Sequence, residues 1–317
     1  MNFFIFLHKL KELREIIRNS KKHILSEPCI LCNNKLYVPI TSLTTHHDKL
    51  IILCINCGLA RMNPLPTIKE YQDFYKKQFF VDYRTLQSRV EPSKSGYLIY
   101  EFVRDYINQI YGVFEIGCGD GRNLLAIRSI NKELNIGGIE PSELTAETNS
   151  KFKKYNINIT NGFSSNLSKE LLNNYNLIII SHVFEHFINP LQELVELEKK
   201  LRINDIVYIE VPDNGYDIYK LGYWFRFPHI YYFTQYTISH MFEKVGFTVL
   251  KFEKSDLVLR YLITKNEKII REFSMKNVNR GKHQLNVYKT ATFLSTLYMV
   301  IRIIKKLIND IISQFLN

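Results

Sequence analysis

The residues best placed to do chemistry begin with four cysteines. Cys29-x-x-Cys32 and Cys54-x-x-Cys57 form two pairs separated by 21 residues. Each pair can aim two thiolates at one tetrahedral ion, and a hairpin between the pairs would close the site. Gly58, directly after the second pair, suits the tight turn such a knuckle makes. Four thiolates leave no open coordination position, so the expected ion is a structural Zn2+ rather than a catalytic one. A disulfide reading is disfavoured for a chain expected in the cytoplasm. A redox reading would call for one such pair at the start of a helix. His46 and His47, between the pairs, read as surface residues.

A second constellation is Val113-Phe114-Glu115-Ile116-Gly117-Cys118-Gly119-Asp120-Gly121, a strand running into a glycine turn with a helix starting near Arg122. Glycines are needed where the backbone turns sharply and a ligand must approach it without meeting a Cβ. The dinucleotide fingerprint asks for a further glycine at position 122; Arg122 stands there, which argues against nicotinamide or flavin binding. Ile139-Glu140-Pro141-Ser142 ends the next strand, and an acid at that point can accept both ribose hydroxyls of a nucleoside. Cys118 reads as a small packing residue. A third group, His182, Glu185 and His186, follows the apolar run Leu177–Ser181. Histidine can take a proton near neutral pH because its ordinary pKa is ~6.5. His229 sits in the aromatic stretch Phe227–Tyr232 and is the fourth base candidate.

These residues need elements to hold them. From about 111 onward, short β-branched runs alternate with helical stretches near 122–134, 142–154, 190–202 and 235–245. That alternation implies a mostly parallel sheet covered on both faces. The last two runs, FTVLKFE and LVLRYLIT, are separated by Lys254-Ser255-Asp256 and should form an antiparallel hairpin at the end of the sheet. Residues 28–66 combine short β-like pieces with the four cysteines and end at Pro64-Leu65-Pro66. Thr67 and Ser93 read as helix starts. Residues 3–18 look like an amphipathic helix with Phe6, Leu10, Leu13 and Ile17 on one stripe. Residues 285–316 read as a long closing helix.

Charge narrows the partners. Of the net +11, residues 1–30 contribute six Lys/Arg against three Asp/Glu, and 251–317 thirteen against five; residues 31–250 balance at 23 against 23. A nucleic-acid groove across the neutral middle is therefore disfavoured. No stretch reaches the ~18 apolar residues of a spanning helix. The closing helix is apolar along Leu294, Leu297, Ile301, Ile304, Ile308, Ile311 and Phe315, and interrupted by Arg302, Lys305 and Lys306. It is expected to pack on the N-terminal helix or in a homodimer, with an anionic membrane surface as second choice. The expected compartment is the cytoplasm, with peripheral membrane contact left open.

With these motifs in view, EIGCGDGRN followed by GIEPS, NLIIISHVFEHFINP, VYIEVPD and FTQYTISHMFEKVGFTVL resembles the class I S-adenosylmethionine-dependent methyltransferases. Within them, it is similar to the subfamily whose fourth strand ends in Ser-His-Val-x-Glu-His. The resemblance covers about 67–265. It implies an α/β, doubly wound, mostly parallel sheet with an antiparallel C-terminal hairpin. It also implies S-adenosyl-L-methionine as cofactor. Gly117 and Gly119 would cradle its methionine part and Glu140 its ribose; Asn161, Gly162 and Phe163 would lie beside its adenine. Many relatives carry an acid near position 161, where this chain has Asn161. Glu115, Cys118, Pro141 and Ser181 complete the cofactor set that the resemblance implies. A four-cysteine module ahead of such a domain resembles the N-terminal part of sugar C-methyltransferases acting on nucleotide-linked deoxysugars.

The chain is thus expected to comprise an N-terminal helix (1–27), a zinc module (28–66), a methyltransferase domain (67–265) and a helical extension (266–317). The expected substrate is a small molecule or saccharide, such as a nucleotide sugar or cell-envelope glycan precursor. An RNA base methyltransferase and a non-catalytic cofactor-binding scaffold are the alternatives. The neutral middle weighs against the first, and the intact Glu115, Gly117, Gly119 and Glu140 against the second.

Overall fold

A computed structural model describes residues 23–25, 27–42, 49–78, 91–143, 145–214, 228–255, 257–265, 284 and 286. The sequence readings on 3–18, on His46 and His47, and on nearly all of 285–316 lie outside these residues. Among the described residues no helix is long and apolar enough to cross a membrane. The chain divides into two compact units.

The first unit contains the residues up to Pro64 and the described parts of 213–237 and 274–317. Its sheet begins with β1 (His23–Ile24), β2 (Leu36–Ser42), β3 (Leu50–Cys54) and β4 (Ala60–Asn63), each antiparallel to the next. The fifth strand, β10 (Tyr231–Tyr232), comes from far along the chain and pairs antiparallel with β4. Reading the sequence as consecutive segments did not anticipate this. The aromatic pair carries no alternation with polar residues because both rings are fully buried, and alternation is what marks a half-buried strand. Arg61 on β4 is buried as well. Its guanidinium lies over the Tyr37 ring, 5.5 Å from the centroid, and donates to the Met62 carbonyl at 3.0 Å.

The second unit, Leu65–Pro212 and Ile238–Phe273, is built on seven strands: β5 (Gly112–Ile116), β6 (Asn135–Glu140), β7 (Ile157–Asn161), β8 (Leu177–Ser181), β9 (Ile206–Pro212), β11 (Phe247–Lys254) and β12 (Val258–Lys265). Their spatial order is β11-β12-β9-β8-β5-β6-β7. Pairings among β5 to β9 are parallel; β12 runs antiparallel to β9, and β11 antiparallel to β12. This is the doubly wound, mostly parallel sheet with an antiparallel closing hairpin that the strand and helix alternation implied. β5, β8 and nearly all of β9 are buried on both faces, which is why they read as unbroken apolar runs.

The helices start where the sequence signals them. α1 (Ile68–Asp73) opens with a capping box between Thr67 and Glu70, and continues into a π turn over Phe74–Gln78. α2 (Lys94–Val103) is capped by Ser93, whose Oγ accepts from the Gly96 amide at 2.8 Å. α3 (Arg122–Ile130) follows the glycine turn. After it come α4 (Thr145–Phe152) and α5 (Lys169–Leu172). α6 (Pro190–Lys200) has Asn189 as N-cap and proline in its first turn. α7 (Gln235–Val245) leads into β11.

Candidate active site and four-cysteine cluster

Strand order reverses beside β5: β6 and β7 lie on one side, β8 and β9 on the other. At such a switch point the loops at the carboxyl ends of the strands part and leave a crevice. The glycine turn sits there. Gly117, Gly119 and Gly121 have φ of +67°, +57° and +73°, conformations that cost an L side chain strain. A Cβ on Gly117 would come within 2.6 Å of the Val183 side chain. The amides of Gly117 and Cys118 both donate to the Ile139 carbonyl, at 2.8 and 3.2 Å, tying the turn to the end of β6.

Glu140, the last residue of β6, is buried. Its Oε2 accepts from the Gly119 amide at 2.8 Å and its Oε1 from the Ser142 amide at 3.3 Å. The acid and the glycine turn are therefore one structure. The crevice they border has a volume of about 360 Å³. Of the residues singled out from sequence, Gly117, Glu140, Pro141, Gly162, Phe163, Ser181, His182 and His186 line it. Others act from behind. Glu115 accepts from Asn123 Nδ2 at 2.7 Å. Cys118 is buried, and a Cβ on Gly138 would fall 2.8 Å from its Sγ, so it fills space against β6. Asn161 Nδ2 donates to the carbonyls of Glu140 and Ser142, at 3.3 and 2.7 Å, and braces the acidic loop. His229 belongs to the first unit, where it is buried and its carbonyl accepts from Tyr232 Oη at 3.0 Å.

The turn after β8 is unusual. His182 has φ +53°, rare for a residue other than glycine. Its amide donates to the Glu210 carbonyl at 2.9 Å. Its Nε2 is 2.9 Å from Glu210 Oε1, and its Nδ1 is 3.7 Å from Glu185 Oε1. Glu210 is also held by Tyr208 Oη at 2.9 Å and by the Arg260 guanidinium from β12. Burial would lower the His182 pKa, but the two carboxylates outweigh it and raise it to about 10. Burial would raise Glu210; hydrogen bonds from His182, Arg260 and Tyr208 overcome that and hold it at about 2. His182 is thus a cation at neutral pH and a donor rather than a base. His186 is buried, with its Nε2 3.7 Å from Glu185 Oε1 and its ring edge-on to Tyr75 at 6.0 Å.

The sign of the His182 shift gives a test. Because the folded pKa is raised, the pair's contribution to stability is full below pH ~6.5 and is lost as pH rises through about 10. The side chain is 47% exposed, so solvent screens the pair and the stability effect is small. The titration itself is the sharper readout. Proton NMR should place the His182 midpoint well above neutrality, and Glu210→Gln should bring it down toward ~6.5. A wild-type midpoint near the ordinary histidine value would overturn the clamp.

Several lining residues were not legible beforehand. Ile68, Tyr71, Gln72 and Tyr75 come from α1 and its π turn, and Asn189, Gln192 and Glu193 from the start of α6. The Thr67 capping box announced the helix. The four-residue spacing of Tyr71 and Tyr75, whose centroids are 4.7 Å apart, marked a face of it, but nothing local said what that face covers.

In the first unit the four cysteine sulfurs converge, with all ligand atoms within 4.8 Å of one another. Cys29 and Cys57 Sγ are 3.6 Å apart, and Cys32 and Cys54 Sγ 3.5 Å. A tetrahedron with metal–sulfur bonds of ~2.3 Å has edges of about 3.8 Å, close to this spacing. The two knuckles repeat one backbone pattern. Asn33 and Gly58 donate to the carbonyls of Cys29 and Cys54, at 2.8 and 3.0 Å. The amides of those cysteines donate to Asn34 and Leu59, at 2.9 and 3.0 Å. Asn33 and Gly58 occupy the same left-handed region, φ +58° and +82°. No disulfide joins them; all four are free thiols.

Residues 99–251, just under half of the chain, match the family model described as "Methyltransferase domain". Over 142 residues the chain is 26% identical to ubiquinone biosynthesis O-methyltransferase of Rickettsia akari (strain Hartford). That alignment covers 43% of this chain and 55% of the relative, so the chain spans about half the length of the curated protein it matches. Among solved structures it is similar to the N-terminal domain of EvdMO1 with SAH bound (14% identity, 55% of this chain, 80% of that chain, TM-score 0.41). It is also similar to magnesium protoporphyrin IX methyltransferase (ChlM) from Synechocystis PCC 6803 with bound SAH (12% identity, 55% of this chain, 83% of that chain, TM-score 0.44).

Proposed function

We propose that this chain transfers the methyl group of S-adenosyl-L-methionine to a small-molecule or saccharide acceptor. We also propose that its four-cysteine module holds a structural Zn2+. The observation that carries the first reading is the single structure formed by the glycine turn and Glu140 at the switch point of a methyltransferase domain. The donor set carries the second: four thiols at tetrahedral spacing.

S-adenosyl-L-methionine, when bound, supplies an electrophilic methyl group on its sulfonium. The protein must hold the acceptor in line with it and take up the proton the acceptor loses. Gly117 and Gly119 let the backbone approach the methionine part, and Glu140 accepts from the ribose hydroxyls. Pro141, Gly162 and Phe163 flank the base, and Ser181 lines the crevice from the end of β8, on the other side of β5. His182, protonated between Glu185 and Glu210, donates to an anionic or developing anionic oxygen of the acceptor. His186, supported by Glu185, is the best-placed base.

Replacing the residue that removes the proton should lower turnover by ~10²–10⁴-fold while sparing cofactor affinity. His186→Ala is expected to show this, and His182→Ala to raise KM as well. Full activity in alanine variants of His182, Glu185, His186 and His229 would place proton removal elsewhere.

The acceptor is to be found by mass spectrometry with methyl-labelled cofactor. Hydroxylated small molecules come first, because the curated relative is by name an O-methyltransferase. Sugar nucleotides and cell-envelope glycan precursors follow. Failure of S-adenosylhomocysteine to bind in calorimetry would overturn the whole reading. Binding without methylation of any acceptor would favour a scaffold. An RNA substrate is disfavoured by the charge balance of residues 31–250, 23 Lys/Arg against 23 Asp/Glu.

A further inference from the structure

We propose that Glu193 on α6, oriented by Ser164, is the group that reads the exocyclic amine of the cofactor's adenine, so that this site selects a 6-amino purine over a 6-oxo purine. This rests on the cofactor reading above and goes beyond it, since neither residue was picked out by sequence pattern.

If Glu140 takes the ribose, the base must lie along the crevice wall that continues from it. That wall is Pro141, Gly162, Phe163 and Ser164, with Tyr71 of α1 alongside. The Tyr71 and Phe163 rings are 5.9 Å apart and tilted by 39°. It is a slot for a flat, largely apolar ring, and such a slot by itself accepts any purine. Selectivity needs a polar group on its border.

The strand-end residue Asn161 is not among those lining the crevice. Asn161 directs its Nδ2 to the Glu140 and Ser142 carbonyls, holding the ribose loop in place. The carboxylate at the slot comes from another element. Ser164 Oγ donates to Glu193 Oε2 at 2.7 Å, and both residues line the crevice. The Tyr71 phenol is buried, and its pKa is raised by that burial and by the negative charges of Glu193 and Glu140. Tyr71, Glu140 and Glu193 all line the crevice, Glu140 from the end of β6 and Glu193 from α6. With one oxygen engaged by Ser164, the Glu193 carboxylate keeps lone pairs for an N–H donor. A carboxylate accepts from an amine and repels a carbonyl oxygen. Glu193 also sits in the first turn of α6, where any acid favours the helix; that role would not discriminate between bases.

The test is calorimetry of the full chain with S-adenosylhomocysteine and with S-inosylhomocysteine, in which the amine is replaced by a carbonyl oxygen. The wild type should prefer the adenosyl compound by ~10–10²-fold, the worth of a hydrogen bond to a charged group. Glu193→Ala should bring the two affinities to within ~3-fold of each other. Glu193→Gln, whose amide can also donate, should tighten binding of the inosyl compound relative to the wild type. Ser164→Ala should lower the preference by a smaller factor. A preference that survives intact in Glu193→Ala overturns the inference while leaving the cofactor reading standing. A wild type that binds neither compound overturns the cofactor reading itself, and this one with it.

Discussion

Gly119→Val is expected to cut affinity for S-adenosylhomocysteine by ~10²–10³-fold, which corresponds to about 3–4 kcal/mol. Two losses add. A β-branched side chain is forced into a left-handed conformation, φ +57° in the native turn, at a cost of about 1–2 kcal/mol. When the turn re-forms to relieve that strain, the Gly119 amide leaves Glu140 Oε2, now 2.8 Å away. A hydrogen bond to a charged acceptor is worth about 1.5–3 kcal/mol, and the carboxylate proposed to hold the ribose loses its aim. The strands beneath are untouched, so circular dichroism should show the wild-type fold with a melting temperature lowered by only a few degrees. Gly117→Val is the harsher control, because its Cβ meets Val183 at 2.6 Å, and packing should suffer there as well. Unchanged calorimetric affinity in Gly119→Val would sink the assignment of this turn to the cofactor.

Removing the proposed Zn2+ should have a still larger effect, confined to the first unit. Elemental analysis of protein purified without chelator should find about one Zn2+ per chain. Because such a site does not exist in an unfolded chain, its binding energy is folding energy, on the order of 10 kcal/mol. Cys29, Cys54 and Cys57 are buried, and without an ion their sulfurs would face one another with no partner to neutralise thiolates. Chelation should therefore erase hydrogen-exchange protection in β2, β3 and β4 and expose all four thiols to alkylation. Protein that contains no metal, with Cys29, Cys32, Cys54 and Cys57 reacting freely from the start, would show the module to be something else.

Much of this protein is legible along the chain. The cysteine knuckles are local events: a Cys-x-x-Cys pair followed by Asn33 or Gly58 at positive φ closes its own turn. The glycine turn after β5, the caps at Thr67 and Ser93 and the hairpin of β11 and β12 are likewise set by residues a few positions apart. Turn chemistry and capping act at short range, so sequence alone determined these pieces and the class of sheet they build. Glu140 could be assigned because one strand-helix-strand unit carries it to the same edge as Gly117.

Tertiary structure decided what comes together from a distance. Arg260 on β12 reaches Glu210 on β9, and that carboxylate keeps His182 protonated; read alone, His182 was a base candidate. Tyr71 and Glu193 arrive at the crevice from α1 and α6, one before the sheet begins and one behind its fourth strand. Tyr231 and Tyr232 join β4 across more than half the chain. The physical reason is the same in each case. A side chain buried on all sides leaves no periodic mark in the sequence to say which neighbour it meets, and the charge state of an imidazole follows from the carboxylates that packing sets beside it.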